Sequence, residues 1–201
     1  MARPKAKREL ILKSAAEVFA AKGFHDASIN EIALRANIGK GTVYEYFSSK
    51  NELFLEVIRF TASYYLMMLK LELIEQRGFL DQIVAFLSVH SRIVEENCKN
   101  TGAFLATRDS LSAASENGQE IMEILNGIRN DTIDIITSIL QTGVNEGLIT
   151  YPDLDFAADM FLEMSTRIGI KKFHCQLSDT EIVTEQQKLI QLFLSGIGTK
   201  R

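Results

Sequence analysis

The stretch Ser28–Lys50, SINEIALRANIGKGTVYEYFSSK, sets the fold of the N-terminal part of this chain. Ser28 and Glu31, three residues apart, form the pattern of a capping box at the start of a helix. The inner face of this helix is predicted to comprise Ile29, Ile32, Ala33 and Ala36. Asn37 follows, a residue type that tolerates a left-handed backbone, and Ile38 then returns to the core. The stretch therefore predicts a helix, a tight turn and a second, short helix.

The short helix is predicted over residues 40–47. Because each helical residue advances by about 100°, Val43 and Phe47 share one face and are predicted to anchor the helix from behind. The other positions form an exposed ridge of small and polar groups: Lys40, Gly41, Thr42, Tyr44, Glu45 and Tyr46. A DNA major groove, about 12 Å wide, admits a helix of this kind, and tyrosine hydroxyls and a lysine are suitable donors to phosphates. The alternative is that the two tyrosines pack against the first helix.

The remaining sequence predicts an all-α protein of about nine helices. Pro4 and Pro152 are the only prolines in 201 residues, and no strand-like alternation of useful length occurs. Gly23 is predicted to end the first helix, and capping boxes are predicted at Ser49 with Glu52 and at Ser178 with Glu181. Besides residues 40–47 and the helix that opens at Ser28, the predicted helices are 5–22, 49–74, 81–98, 102–114, 118–146, 154–174 and 180–196.

The amino-acid composition and the distribution of charge exclude several classes of protein. The hydrophobic content of 46% is enough for a packed core, which excludes global disorder. The net charge of −4 divides into +3 over residues 1–52 and −7 over the rest, so a polyanionic partner is expected for the first part only. The isolated cysteines Cys98 and Cys175 predict a reduced, cytoplasmic setting. No apolar run approaches the ~20 residues that span a bilayer, so no membrane association is expected.

The N-terminal quarter resembles the DNA-binding domain of the tetracycline-repressor (TetR) family of bacterial regulators. The segments AAEVFAAKGF, SINEIALRANI, GTVYEYF and SKNEL arrive in the family's order and spacing, over about residues 8–58. The remainder is similar only in helix count and in GLI…DLDFAADMFLEM. The resemblance implies a three-helix helix-turn-helix domain over residues 1–52 and a helical effector-binding and dimerisation domain over residues 53–201. The helix from residue 49 would belong to both.

The resemblance also implies DNA-binding roles for individual residues. The set is Ser28, Lys40, Gly41, Thr42, Tyr44, Glu45, Tyr46 and Lys50. Thr42, Tyr44, Tyr46 and Lys50 would contact phosphates, with Thr42 also reaching a base, and Ser28 would donate to a phosphate. Lys40 and Gly41 would lie at the groove entrance. Lys50 has the alternative of being an ordinary surface lysine.

Glu45 faces the expected position of the base edges, where phosphates repel a carboxylate. We expect it to gain a hydrogen bond from a cytosine amino group. The alternative is that Glu45 only pairs with a nearby Lys or Arg. The arm residues Arg3, Lys5, Lys7 and Arg8 are either solvated charges or contacts to the minor groove or backbone.

Other chemistry has little support in the sequence. The three histidines, His25, His90 and His174, and the pair His174–Cys175 lack the spacing of a metal site. No nucleophile elbow, phosphate loop or paired-carboxylate motif occurs, so neither an enzyme nor a cofactor is predicted. Methionine and aromatic side chains of the second half form core or line an adaptable pocket, and polar groups among them, such as Arg92, Asn97, Arg108 and Asp109, are candidates to orient a ligand. The expected effector is an apolar or aromatic small molecule.

The predicted function is ligand-responsive regulation of transcription, in the family's usual mode of repression. A homodimer would bind palindromic double-stranded operator DNA and leave it when the effector binds. The last two helices, 154–174 and 180–196, would pair across a two-fold axis into a four-helix bundle. Their apolar positions include Leu189, Ile190, Leu192, Phe193, Leu194 and Ile197. The alternative function is a helical ligand-binding or adaptor protein without DNA binding.

Overall fold

A computed structural model describes residues 2–75, 78–101 and 118–197, and the described residues form eight α-helices. The helices are α1 Ala2–Asp26, α2 Ile29–Arg35, α3 Lys40–Tyr46, α4 Lys50–Ile74, α5 Phe79–Thr101, α6 Gly118–Asn145, α7 Leu154–Cys175 and α8 Asp179–Ile197. The all-α prediction is confirmed. The predicted helix 102–114, with Arg108 and Asp109, lies outside the described residues.

The chain divides into two compact units. The first is Met1–Tyr64 with Lys99–Leu125, and the second is Tyr65–Cys98 with Asn126–Arg201. Helices α4 and α6 each contribute residues to both units. The compact first unit thus extends beyond residue 52. The predicted division into a DNA-binding domain, 1–52, and an effector-binding domain, 53–201, stays a prediction.

The core of the first unit is built from the apolar faces of α1–α4. Ile11, Leu12 and Ala15 of α1 are fully buried, whereas Leu10 beside them is 44% exposed. The buried side chains that complete this core are Val18, Phe19, Ile29, Ile32, Ala33, Val43, Phe47, Leu53, Phe54, Val57 and Ile58. Gly23, predicted to end the first helix, instead interrupts it: its backbone has φ +74°, and α1 continues beyond this kink to Asp26.

Two of the three predicted capping boxes are present in full. In the first, the Ser28 hydroxyl accepts the Glu31 N–H while the Glu31 carboxylate accepts the Ser28 N–H, and Ser178 and Glu181 repeat the pattern before α8. Before α4 the pattern is shifted. Ser49 accepts the Glu52 N–H, but the Glu52 carboxylate accepts from the backbone and hydroxyl of Ser48 instead of the Ser49 N–H.

The second unit has an aromatic and aliphatic core. Phe86 and Phe161 are fully buried, and the Phe161 ring lies edge-on to Phe193 with 4.8 Å between ring centroids. Gly169 lets α7 approach α5 closely, since a Cβ atom there would lie 2.6 Å from Cβ of Val94. The largely buried Lys172 joins the same helices through a 2.9 Å ion pair with Glu95.

Candidate nucleic-acid interface

The turn between α2 and α3 has the backbone that the sequence predicts. The N–H of Ala36 donates to Ile32 O at 2.9 Å, which closes the last turn of α2. Asn37 then adopts φ +52°, and the N–H of Ile38 returns to Ala33 O at 3.0 Å. Ala33 is buried and small, so the two helices can pack closely. The result is a helix-turn-helix in which the direction of α3 is fixed by backbone hydrogen bonds.

Helix α3 is anchored on one face and open on the other. Val43 is 0% exposed and Phe47, the C-cap residue, is 2% exposed, as the helical wheel predicts. The exposed positions are Lys40, Gly41, Tyr44 and Glu45, while Thr42 and Tyr46 are half-buried at the flanks. Tyr44 is 46% exposed, so it does not pack against α1 as a core residue would. A seven-residue helix therefore presents a lysine, a carboxylate and a phenol outward.

Lys40 and Tyr44 lie one helical turn apart and are in contact. The Lys40 ammonium nitrogen is 5.9 Å from the centroid of the Tyr44 ring, within cation–π range. This pairing limits the freedom of both side chains before any partner binds. It also concentrates one positive charge and one hydroxyl donor on the same edge of α3.

Glu45 is exposed on α3 and takes part in no ion pair within the part of the chain that the structure describes. No described Lys or Arg side chain pairs with Glu45, and both interpretations of its role stay predictions. Its carboxylate is available to an external donor.

Ser28 has its hydroxyl engaged inside the protein. The hydroxyl accepts the Glu31 N–H at 3.3 Å and donates to the Glu31 carboxylate at 3.1 Å. Glu31 also pairs with Lys22, and hydrogen bonds from Lys22 and then Ser28 lower the pKa of its carboxyl group. A phosphate contact from Ser28 would have to replace its bond to Glu31.

Lys50 occupies a position that sequence reasoning did not foresee. Its ammonium group donates to His25 O at 3.0 Å and to Ala27 O at 2.9 Å. The same nitrogen lies 4.6 Å from the centroid of the Phe24 ring. The first residue of α4 therefore holds the connection between α1 and α2. Only a long side chain reaching back across more than twenty residues of sequence can do this, so no local pattern signals it.

The basic residues near the N-terminus differ in their contacts. Arg8 forms an ion pair with Glu56, and its guanidinium carbon lies 5.2 Å from the centroid of the Phe47 ring. Arg8 thus braces α1 against α4 and the end of α3. Lys5 and Lys7 are exposed. Arg35, on the exposed side of α2, is paired with Glu17 of α1.

The second unit contains a buried polar cluster around His90. His90 Nδ1 lies 2.7 Å from the Tyr65 hydroxyl, and Nε2 lies 3.0 Å from the Thr166 hydroxyl. Since the Thr166 hydroxyl donates to Leu162 O, it accepts from Nε2–H, and Nδ1 then accepts from Tyr65. Burial lowers the pKa of His90 to about 4 and raises that of Tyr65. The cluster ties α4, α5 and α7 together with a neutral imidazole.

Within the described ranges, no three His, Cys, Asp or Glu side chains are grouped so that they could hold a metal ion. The two cysteines are free thiols, Cys98 buried and Cys175 exposed. None of the described helices combines the length and apolar character needed to span a membrane.

Comparison with known proteins identifies the N-terminal module. Residues 11–57 match the family model of bacterial regulatory proteins of the tetR family. Over 192 residues, the chain is 24% identical to the fatty acid metabolism regulator protein of Bacillus subtilis, covering 94% of this chain and 95% of that protein.

Solved structures share the fold along nearly the whole chain. A TetR transcriptional regulator from Chloroflexus aurantiacus superposes with a TM-score of 0.78 at 19% identity, with 100% of both chains covered. The transcriptional regulator FadR from Bacillus subtilis, solved in complex with stearoyl-CoA, gives a TM-score of 0.72 at 22% identity, covering 94% of this chain and 98% of that one. The helices beyond residue 57 therefore follow the same architecture as these regulators.

Proposed function

We propose that this chain, which belongs to the TetR family of bacterial transcriptional regulators, is a repressor that binds palindromic operator DNA as a homodimer and leaves it when a small-molecule effector binds. One observation carries the DNA-binding part of the proposal. Helix α3 buries Val43 and Phe47 while Lys40, Tyr44 and Glu45 face outward from a helix-turn-helix. Such a helix can enter a major groove without loss of its own packing.

The proposed contacts follow the two edges of α3. Lys40 and Tyr44 donate to phosphates along one edge, and Tyr46 does so along the other. Gly41 has open space around it, which permits close approach of the DNA backbone, and Thr42 reaches a phosphate and a base. Glu45 faces the base edges between them. Ser28 contributes a phosphate contact, for which its hydroxyl must leave Glu31.

The test is binding of the purified protein to the upstream region of its own gene, followed by fluorescence anisotropy at several salt concentrations. A specific complex should weaken steeply with salt, because each phosphate contact contributes about −0.9 to the slope of log K against log salt. Tyr44→Phe removes only a hydroxyl and should reduce affinity by roughly 3- to 10-fold. The matched control is Tyr64→Phe, since Tyr64 is equally exposed but lies on α4.

The dimer is proposed to form through α7 and α8. Exposed apolar side chains recur on both helices, namely Phe156 and Met164 on α7 and Val183 and Leu192 on α8. A surface with this many large apolar groups is typical of an interface that buries them against a partner. Two copies would then present two α3 helices to successive major grooves, about 34–36 Å apart or a multiple of that distance.

The effector is proposed to be a long-chain acyl thioester. Support comes from the fatty acid metabolism regulator and from the FadR complex with stearoyl-CoA, both of which resemble this chain over more than nine-tenths of its length. Helix α4 begins in the helix-turn-helix unit and continues to Ile74 in the second unit, so it is the proposed carrier of the signal. A ligand acts as a switch only through differential affinity for the two states, with a coupling of typically about 1–3 kcal/mol.

Titration of the protein–DNA complex with stearoyl-CoA, octanoyl-CoA and free coenzyme A tests the effector class. Release by stearoyl-CoA and not by coenzyme A supports the proposal. If none of the three ligands releases the DNA, acyl thioesters are excluded as effectors, whereas the proposal of DNA binding is unaffected. A protein that binds an acyl-CoA but not its own upstream DNA would instead be the adaptor alternative.

A further inference from the structure

The ammonium group of Lys50 is already committed inside the helix-turn-helix unit. It donates to His25 O and Ala27 O at 3.0 and 2.9 Å and lies 4.6 Å from the Phe24 ring centroid. A lysine has three N–H donors, so two of them satisfy backbone carbonyls of the connection between α1 and α2. The aromatic face occupies a further side of the cation.

The two carbonyls lie in the connection between α1 and α2, whose side chains Phe24 and Ala27 pack into the first unit. Gly23 interrupts α1 with φ +74°, so residues 24–26 form a short extension that changes direction. Ala27 is buried and is followed by Ser28, the N-cap of α2. A bond from Lys50 to the carbonyl beside Ser28 therefore fixes where α2 begins relative to α4.

The consequence reaches α3 through α2. The end of α2 is joined to α3 by the Ile38–Ala33 hydrogen bond, and α3 is buried only through Val43 and the adjoining Phe47. If α2 shifts at its start, the exposed ridge of α3 shifts with it. A displacement of about 1 Å is enough to loosen a preorganised binding site.

We propose that Lys50 is a positioning residue for DNA binding, which sets α2 and α3 through the carbonyls of His25 and Ala27 and does not itself neutralise a phosphate. This inference rests on the proposed DNA-binding function. It assigns to the lysine of the SKNEL segment a role different from the phosphate contact that the sequence predicts.

The test compares Lys50→Met with Lys40→Met on a duplex from the gene's own upstream region. Methionine keeps most of the aliphatic stem in both cases and removes the charge. For Lys50→Met, we expect affinity to fall on the order of tenfold while the slope of log K against log salt stays that of the wild type. For Lys40→Met, the exposed lysine on α3, we expect the slope to lose about 0.9.

Two further measurements keep the outcomes separate. Hydrogen exchange of the Glu31 amide, which the Ser28 cap protects, should be faster in Lys50→Met than in the wild type without DNA present. Lys50→Arg retains donors that can reach both carbonyls and should restore protection and affinity together. If Lys50→Met fails to fold, Lys50→Gln serves for the same measurements.

Each other result has a definite meaning. A slope reduced by about 0.9 in Lys50→Met would make Lys50 a phosphate contact and overturn the inference. Unchanged affinity with a lower melting temperature would leave only a structural role and overturn it as well. Failure of the wild type itself to bind DNA would contradict the proposed function first, with the exchange data still reporting whether Lys50 orders the start of α2.

Discussion

At the scale of the residue, the exposed carboxylate of Glu45 is the group that we propose for base recognition. A carboxylate among phosphates is repelled, and Glu45 has no intramolecular ion pair in the described part of the chain to offset this. A cytosine amino group is the base-edge donor that a carboxylate accepts from in the major groove. We therefore propose that Glu45 selects sequence through one hydrogen bond that a wrong base cannot make.

Glu45→Gln tests this role because it removes the charge and keeps the shape. In a selection over randomised operator half-sites, the wild type should prefer cytosine at one position by roughly 1–3 kcal/mol. The variant should lose that preference, and its overall affinity for non-specific DNA should rise as a repulsive charge is removed. An identical base preference in both proteins would eliminate the reading role.

His90 gives a prediction on the pH dependence of stability. Its pKa is 6.5 in the unfolded chain and about 4 when buried, so between these values the unfolded state binds more protons than the folded state. Stability is therefore complete above pH 6.5 and falls as the pH drops toward 4. Between pH 7.5 and pH 5.0, His90 should account for a loss of about 2 kcal/mol.

Urea unfolding of wild type and His90→Gln at both pH values isolates this contribution. The carboxyl groups titrate in both proteins, so their contributions cancel in the comparison. The free energy of unfolding of the wild type should therefore fall by about 2 kcal/mol more than that of the variant. Equal losses would mean that His90 is accessible to protons in the folded state.

At the scale of the element, the contact between α5 and α7 depends on the absence of a side chain at Gly169. An added Cβ atom would lie 2.6 Å from Cβ of Val94 and 3.1 Å from Ser91 O. Neither atom is the free end of a flexible side chain, so one of the two helices has to move. The same contact surface holds Thr166, which orients His90, one turn earlier on α7.

Gly169→Ala should accordingly destabilise the protein by about 1–3 kcal/mol through overpacking. For a chain of this size, each kcal/mol lowers the melting temperature by roughly 2–4 °C. The matched control is Gly127→Ala in α6, where a Cβ atom meets nothing within 4 Å. Because alanine favours the helix over glycine, the control should be neutral or stabilising by up to about 1 kcal/mol. Calorimetry measures the melting temperatures of the two variants. A Gly169→Ala variant that is more stable than the wild type would contradict the close contact between α5 and α7.

At the scale of the whole molecule, the proposed function depends on assembly, since one α3 would read only one half of a palindromic operator. The exposed apolar groups of α7 and α8 make these helices the proposed interface, with Leu192 at 65% exposure the most open of them. A charge introduced there would be buried without a partner in the dimer, at a large cost in free energy.

Leu192→Glu should therefore convert a dimer into a monomer at micromolar concentration and abolish cooperative operator binding. Sedimentation velocity measures the first effect, and anisotropy on a full palindrome against a half-site measures the second. Leu34→Glu is the control for the sedimentation measurement. Leu34 is an even more exposed leucine, but it lies on α2, outside the proposed interface. A wild type that sediments as a monomer, or a Leu192→Glu variant that remains dimeric, would contradict this interface.

The sequence by itself determined most of the features that depend on local chemistry, with the capping pattern before α4 as an exception. Period and capping patterns located α2, α3 and α8, the left-handed Asn37 and the interruption at Gly23, because these depend on residues within one or two turns of each other. They also separated the anchors Val43 and Phe47 from the outward ridge of α3.

Only the tertiary structure decided what long side chains do across the fold. Lys50 reaches the carbonyls of His25 and Ala27, Arg8 reaches Glu56, and His90 is enclosed by Tyr65 and Thr166. These partners are separated by 23 to 76 residues, so no periodic pattern links them. A side chain's charge and length are written in the sequence, but whether it meets DNA or its own backbone depends on which groups the folded chain brings within about 3 Å of it.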